Sequence, residues 1–246
     1  MNRPVATISV DADPVDLHLA GYGITGITPD PLAYSVALPR LVNLFRRVGV
    51  RATFFVVGRD AQANPGPIAA VAAAGHEIAS HTFSHPFAFS RLASTAMRDE
   101  LVASRNVLES SSGVTVTGFR APNFDLDARG IVTLIEAGYR YDASAYPTPL
   151  LLPARLFMAL KGGDIGRTMQ LRCWPFTLER EPQRWVCDGR SLIEFPLTVS
   201  RGLRLPVYHT ARYYMSDAQF HRTLDALAGE GLPLSYPLHA VDALGL

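Results

Sequence analysis

Ala52-Thr53-Phe54-Phe55-Val56-Val57, stopped by Gly58, is apolar on both faces. A strand with one wet side would alternate. A run without alternation is what a parallel strand covered by helices looks like. Working outward, the same grammar repeats. Upstream, Val5-Ala6-Thr7-Ile8-Ser9-Val10 reads as a strand that runs straight into Asp11. Between the two, residues 14–32 hold Gly21, Gly23, Gly26 and three prolines, which suits an irregular loop. Residues 35–48 then place Leu38, Leu41, Val42, Leu44, Phe45 and Val48 at helical spacing. Downstream, 67–74 reads as a helix closed by Gly75, and 76–79 as a strand. Residues 91–110 read as a long amphipathic helix, 116–119 as a strand, and 127–137 as a helix closed by Gly138. Tyr139-Arg140-Tyr141 leads to Asp142.

Repeated βα units argue for an α/β fold. Chemically equipped residues stand at the C-terminal ends of four successive strands: Asp11 and Asp13, His81, Arg120, and Asp142. In a (β/α) barrel that is the face where active sites form. No internal repeat or flexible linker divides the 246 residues, so one domain over 1–246 is expected, with an atypical segment at about 148–230.

Composition narrows the partners. Charged residues make up only 18%, against about 25% in an average soluble domain. A net charge of +1, with no Lys/Arg run, gives no reason to invoke nucleic acid. Cys173 and Cys187 are too few for a disulfide framework and read as reduced thiols. The N-terminal strand is too short for a secretory signal, and no run reaches the roughly 20 apolar residues that span a bilayer. A cytoplasmic protein is expected, with peripheral contact at the inner membrane face left open. Pro149 to Lys161, rich in Leu, reads either as a buried helix or as an apolar flap meeting a membrane or a lipid-linked substrate.

Two short stretches carry a metal-site vocabulary: Asp11-Ala12-Asp13 and His81-Thr82-Phe83-Ser84-His85. Residues two apart on a strand share a face, so both carboxylates can point one way. The His pair, four apart, shares a side if helical, although Pro86 shortens any such helix. Two imidazoles and a carboxylate form an open catalytic metal set. One Asp can ligate while the other acts as a base on water. Read singly, each piece has a plainer alternative: a turn-forming Asp pair before Pro14, an exposed loop arginine at 120, a helix N-cap at Asp142, a structural His239.

Taken together, Asp11-Ala12-Asp13, Gly75-His76-Glu77-Ile78-Ala79-Ser80-His81-Thr82-Phe83-Ser84-His85, Arg120-Ala121-Pro122, Asp142-Ala143-Ser144 and Leu238-His239 resemble, in order, the five motifs of the polysaccharide deacetylase (NodB-like, carbohydrate esterase family 4) superfamily. The resemblance covers roughly residues 5–147 and 232–242. It implies a distorted (β/α)7 TIM-like barrel. It also implies Asp11 as catalytic base, Asp13, His81 and His85 as ligands of a divalent metal, zinc, and Arg120 orienting the base. His239 would be the general acid, and Asp142 would support the Arg120 or His239 end. A backbone amide near Asn123 would meet the substrate, and His18 and Tyr22, following the first motif, would line the pocket. His76 reads as structural. The Asp-x-Asp spacing departs from the commoner adjacent pair and is similar to a subgroup that includes allantoinase-like proteins. The implied reaction is hydrolysis of an N-acetyl or N-formyl group from an amino sugar, including a lipid-linked one, with a small-molecule amide as the alternative substrate. A sugar-binding module without turnover is the rival from another class. Oligomeric state is not read from the sequence.

Overall fold

The computed structural model describes residues 5–21, 23–150, 178–213 and 215–245. Tyr22, Cys173 and the apolar stretch from residue 151 to 161 lie outside the described residues.

Among the described residues, eight strands form one sheet: β1 (Ala6–Ala12), β2 (Ala52–Val56), β3 (Glu77–Ser80), β4 (Gly118–Phe119), β5 (Tyr141–Asp142), β6 (Gln183–Cys187), β7 (Arg190–Glu194) and β8 (Leu234–His239). Their order across the sheet is β6-β7-β5-β4-β3-β2-β1-β8. Every pairing is parallel except β6 on β7, so seven strands run one way, as in a distorted (β/α)7 barrel. β8 pairs only with β1 among the described residues. Pro237 therefore sits in an edge strand, where the ladder tolerates its missing N–H.

Strand periodicity separates core from site. Val10, Ala12, Phe54 and Val56 face outward into the main hydrophobic core. That core is closed by α2 (Leu38–Val48), α4 (Pro65–Ala73), α5 (Ser94–Ser112) and α6 (Ala128–Glu136). The intervening Ser9, Asp11 and Phe55 point to the other face, where Phe55 packs with Ala79 and Ala143. The apolar run of β2 thus serves two environments at once, which is why it does not alternate.

Two local expectations are corrected, and one helix is added. Residues 14–32 are not wholly irregular: α1 (Val15–Gly21) follows the first strand directly, with the glycines beyond it. A further helix, α3 (Gly58–Ala63), begins at Gly58, with only Val57 between it and the end of β2. The strand expected over 116–119 pairs only at Gly118 and Phe119. The segment after residue 178 supplies the β6–β7 hairpin, α7 (His209–Arg212) and α8 (Asp217–Glu230).

Gly58 is required by close approach. A Cβ there would lie 3.0 Å from both the Phe83 ring and the Ser104 Cα. Its N–H donates to the Thr82 carbonyl at 2.9 Å, fixing the loop that carries both histidines. Gly58→Ala should lower stability by about 1–3 kcal/mol, read as a reduced urea midpoint.

Candidate metal centre and active site

Asp11, the penultimate residue of β1, lies opposite His239 in the parallel register with β8, and opposite Phe55 in β2. Asp13 lies one residue past the strand. Tyr34 donates its hydroxyl to the Ala12 carbonyl at 2.7 Å and so holds the turn between the two aspartates.

The histidine loop is not helical. His81 follows β3, and Thr82 (φ 65°) and His85 (φ 58°) take left-handed backbone, which turns the chain so that both imidazoles converge. The rings lie 5.1 Å apart, nearly edge to face. Thr82 Oγ1 accepts from the His85 N–H at 3.0 Å. Glu100 of α5 clamps the loop from behind: its carboxylate accepts from the N–H groups of Phe83 (2.9 Å) and Ser84 (2.8 Å) and from the Ser84 hydroxyl (2.6 Å).

The donor set fits a divalent cation. His81 Nε2 stands 3.4 Å, and His85 Nε2 3.6 Å, from Asp13 Oδ1. That buried oxygen accepts no hydrogen bond. His81 Nδ1 is 2.7 Å from the Arg120 carbonyl, which can only accept, so the proton resides on Nδ1 and the Nε2 lone pair faces Asp13. Burial lowers His81, and takes His85 down to about 4, so both rings are neutral and able to ligate. Burial, with help from the Asp11 charge, raises Asp13 against the pull of His81. Lone pairs converging on an orphaned buried carboxylate oxygen are what a cation would stabilise. Asp13, His81 and His85 form one metal-competent group, and Asp13, His18 and His239 a second.

Asp11 is set apart electrostatically. Arg120, only 1% exposed, donates from Nη1 to Asp11 Oδ1 at 2.6 Å and to Ser9 Oγ at 3.0 Å, and from Nε to the Ala143 carbonyl at 3.0 Å. Its guanidinium lies 4.1 Å over the Phe55 ring. Burial by itself would raise the Asp11 carboxyl, but Arg120, His81 and His239 outweigh it and hold it below the ordinary value. Asp11 is therefore an ionised carboxylate beside a cation-competent triad.

The remaining expected residues are placed as follows. His239 is half-buried, its N–H donating to Asp242 Oδ2 at 2.8 Å, and its ring stands 4.8 Å from that of His18 on α1. Burial and the His239 charge bring His18 to about 4. Asn123 is exposed in a left-handed turn (φ 53°), its amide Nδ2 donating to the Phe87 carbonyl at 3.4 Å. Asp142 touches neither Arg120 nor His239 through any hydrogen bond among the described residues. Instead it accepts from the Ser144 N–H (2.9 Å) and hydroxyl (2.6 Å). Ser144 Oγ in turn accepts from the Ala121 N–H at 2.7 Å. Asp142 thus shapes the turn whose Ala143 carbonyl grips Arg120. His76 is structural, its Nδ1 accepting from the Ala52 N–H at 3.2 Å between Phe45 and Phe54.

Sequence reading missed Glu100, Tyr34 and Glu194. Glu194 is register-paired with Asp142, and burial followed by the Glu194 charge raises Asp142 to about 8. A carboxyl raised in the folded state holds its proton longer than in the unfolded chain. Stability from this pair is complete below about pH 4 and declines as pH rises towards 8. Glu194→Gln should flatten that decline, measured as urea midpoints from pH 4 to 8. For Glu100→Ala, the loosened histidine loop should weaken metal binding about 10–100-fold, measured by competition with a chromogenic chelator while thermal unfolding stays cooperative.

The polysaccharide deacetylase family model matches residues 25–141. Over those residues, somewhat less than half of its length, the chain is similar to the polysaccharide deacetylase family. Among curated relatives, it is 30% identical over 142 residues to a peptidoglycan deacetylase of Helicobacter pylori, covering 55% of this chain and 47% of that one. It is 33% identical over 87 residues to a chitooligosaccharide deacetylase of Sinorhizobium fredii, covering 35% and 40%. The chain thus spans about half or less of the length of these two relatives. Among solved structures, a putative polysaccharide deacetylase from Mycobacterium smegmatis superposes with TM-score 0.67 at 21% identity, over 97% of this chain and 77% of that one. A Puue allantoinase superposes with TM-score 0.65 at 18% identity, over 97% and 78%. These two likenesses show the fold alone, a distorted (β/α) barrel.

Proposed function

We propose that this protein hydrolyses an N-acyl group, acetyl or formyl, from an amino sugar or a sugar-containing substrate with the help of a divalent metal. The observation that carries the reading is the juxtaposition of an arginine-held, ionised Asp11 with the buried Asp13/His81/His85 group. The neighbouring His239 sits in register with Asp11. The curated relatives, by name a peptidoglycan deacetylase and a chitooligosaccharide deacetylase, point the same way.

Two imidazole nitrogens and one carboxylate suit zinc, with Asp13, His81 and His85 as its holders. When bound there, such an ion supplies Lewis acidity to water and to the amide carbonyl. The protein's own groups do the rest. Arg120 occupies Asp11 Oδ1, leaving Oδ2 to take the proton of the attacking water. Because Asp11 is held below its ordinary value, it is ionised at neutral pH and ready as a base. His239 donates a proton to the departing amine nitrogen, which would otherwise leave as an unstable anion. Asp142, through Ser144, keeps the Arg120 turn in place. His18 stands against His239 and orients that ring.

The test is acetate or formate released from a panel of N-acyl sugars, nucleotide sugars and lipid-linked sugars, with and without chelator. Release that stops with chelator and returns with zinc supports the reading. Turnover of a cyclic ureide, with no acid released from any sugar, would replace it with an allantoinase-like activity. Binding without release across the panel would leave a sugar-binding module.

A further inference from the structure

A cavity of about 820 Å³ lies beside the site without sharing any of its candidate metal or acid-base residues. Its size falls within the range of small-molecule sites. The walls are mainly apolar: Tyr146, Leu205, Pro206, Tyr208, Met215 and Leu227. Tyr146 links it to the chemistry. One side of its ring meets Phe124 at 5.0 Å, and Phe124 lies 6.0 Å from the Arg120 guanidinium. The Tyr208 ring stands 6.0 Å from that of Tyr146, almost perpendicular. A substrate reaching from the catalytic cluster past Phe124 would enter an apolar chamber.

The charges are unbalanced. Arg201, Arg222 and Glu230 line the cavity. Glu230 is taken by Arg180, 2.8 Å away. Arg201 and Arg222 are exposed and make no ion pair or hydrogen bond among the described residues. Two uncompensated guanidinium groups beside an apolar chamber match a ligand with a hydrocarbon body and an anionic oxygen group. Thr148, Ser200, Thr210, Gln219 and Thr223 also line the cavity, but its surface is predominantly apolar, which suits a hydrocarbon chain better than a run of sugars.

We infer that this cavity binds the hydrocarbon chain of an alkyl phosphate, with Arg201 and Arg222 on the phosphate, so that the substrate class is an N-acylated amphiphile. The inference rests on the hydrolytic reading above for the reacting end only; the cavity and its arginines stand independently of it.

Calorimetric titration of the full chain with n-octyl phosphate, n-butyl phosphate and n-octanol tests it. Octyl phosphate should bind at least tenfold more tightly than butyl phosphate. The limit is about 200-fold, if all four extra methylenes are fully buried at about 0.8 kcal/mol each. The double variant Arg201→Ala/Arg222→Ala should weaken octyl phosphate at least tenfold and leave octanol unchanged. Ala226→Trp, at an exposed α8 position lining the cavity, should erase the chain-length preference. Affinities of the two phosphates within twofold of each other would overturn the proposal. So would a chain-length preference that survives Ala226→Trp, or octyl phosphate binding indifferent to the arginines. Octyl phosphate binding without turnover of any N-acyl substrate would sink the hydrolytic reading alone. Turnover of N-acetylglucosamine with no chain-length preference would sink the cavity assignment alone.

Discussion

Asp11→Asn is expected to reduce turnover by about 10²–10⁴-fold, the usual worth of a positioned base, while one metal ion per chain remains bound. The substitution keeps an oxygen for Arg120 Nη1, now 2.6 Å from Asp11 Oδ1, but removes the basic lone pairs and the charge. Because Arg120 is buried, losing its counter-ion costs stability as well. The retained acceptor keeps that cost below the ~3–5 kcal/mol of an orphaned buried charge. Elemental analysis and a thermal melt on the same sample separate the effects. A variant with wild-type turnover would end the assignment of Asp11 as base; a variant that loses its metal would make Asp11 a ligand.

His81→Ala is expected to abolish stoichiometric zinc binding and, with it, turnover. Its Nε2 is one of three donors converging on a centre next to Asp13, and its Nδ1–H is fixed on the Arg120 carbonyl. Losing it leaves His85 and Asp13 as the only protein ligands of that group, too few for an open three-ligand catalytic site. The same deletion takes a hydrogen bond from the carbonyl of the residue that holds the base, so added zinc should not rescue turnover fully. Metal content near one per chain in His81→Ala would contradict the ligand set.

Much of this was readable in the sequence, for identifiable physical reasons. The non-alternating run 52–57 announces a strand buried on both faces, and the structure places Phe54 and Phe55 in different clusters on opposite sides of β2. The two-residue strand period put Asp11 and Asp13 on one face without any structure. The hairpin β6–β7 also had a signal that went unread: Asp188-Gly189 between two β-prone segments, with φ of 47° and 75°, is a two-residue hairpin turn. The histidine loop was legible in its residues but not in its shape. Helical spacing is one reading of a four-residue interval, but two left-handed residues, Thr82 and His85, and a clamp from Glu100 set it instead. Glu100 lies fifteen residues beyond His85 on an amphipathic helix, where a glutamate ordinarily reads as solvated surface. Glu194, opposite Asp142, comes from a strand 52 residues later, a pairing that only the fold reveals.

The most direct test of the central claim is anomalous diffraction at the zinc edge from crystals of the protein grown with zinc. One peak is expected at about 2.0–2.2 Å from the Nε2 atoms of His81 and His85 and from a carboxylate oxygen of Asp13, with Asp11 still paired to Arg120. A peak held by Asp11, or no peak in a sample whose hydrolytic activity survives chelation, would contradict the account.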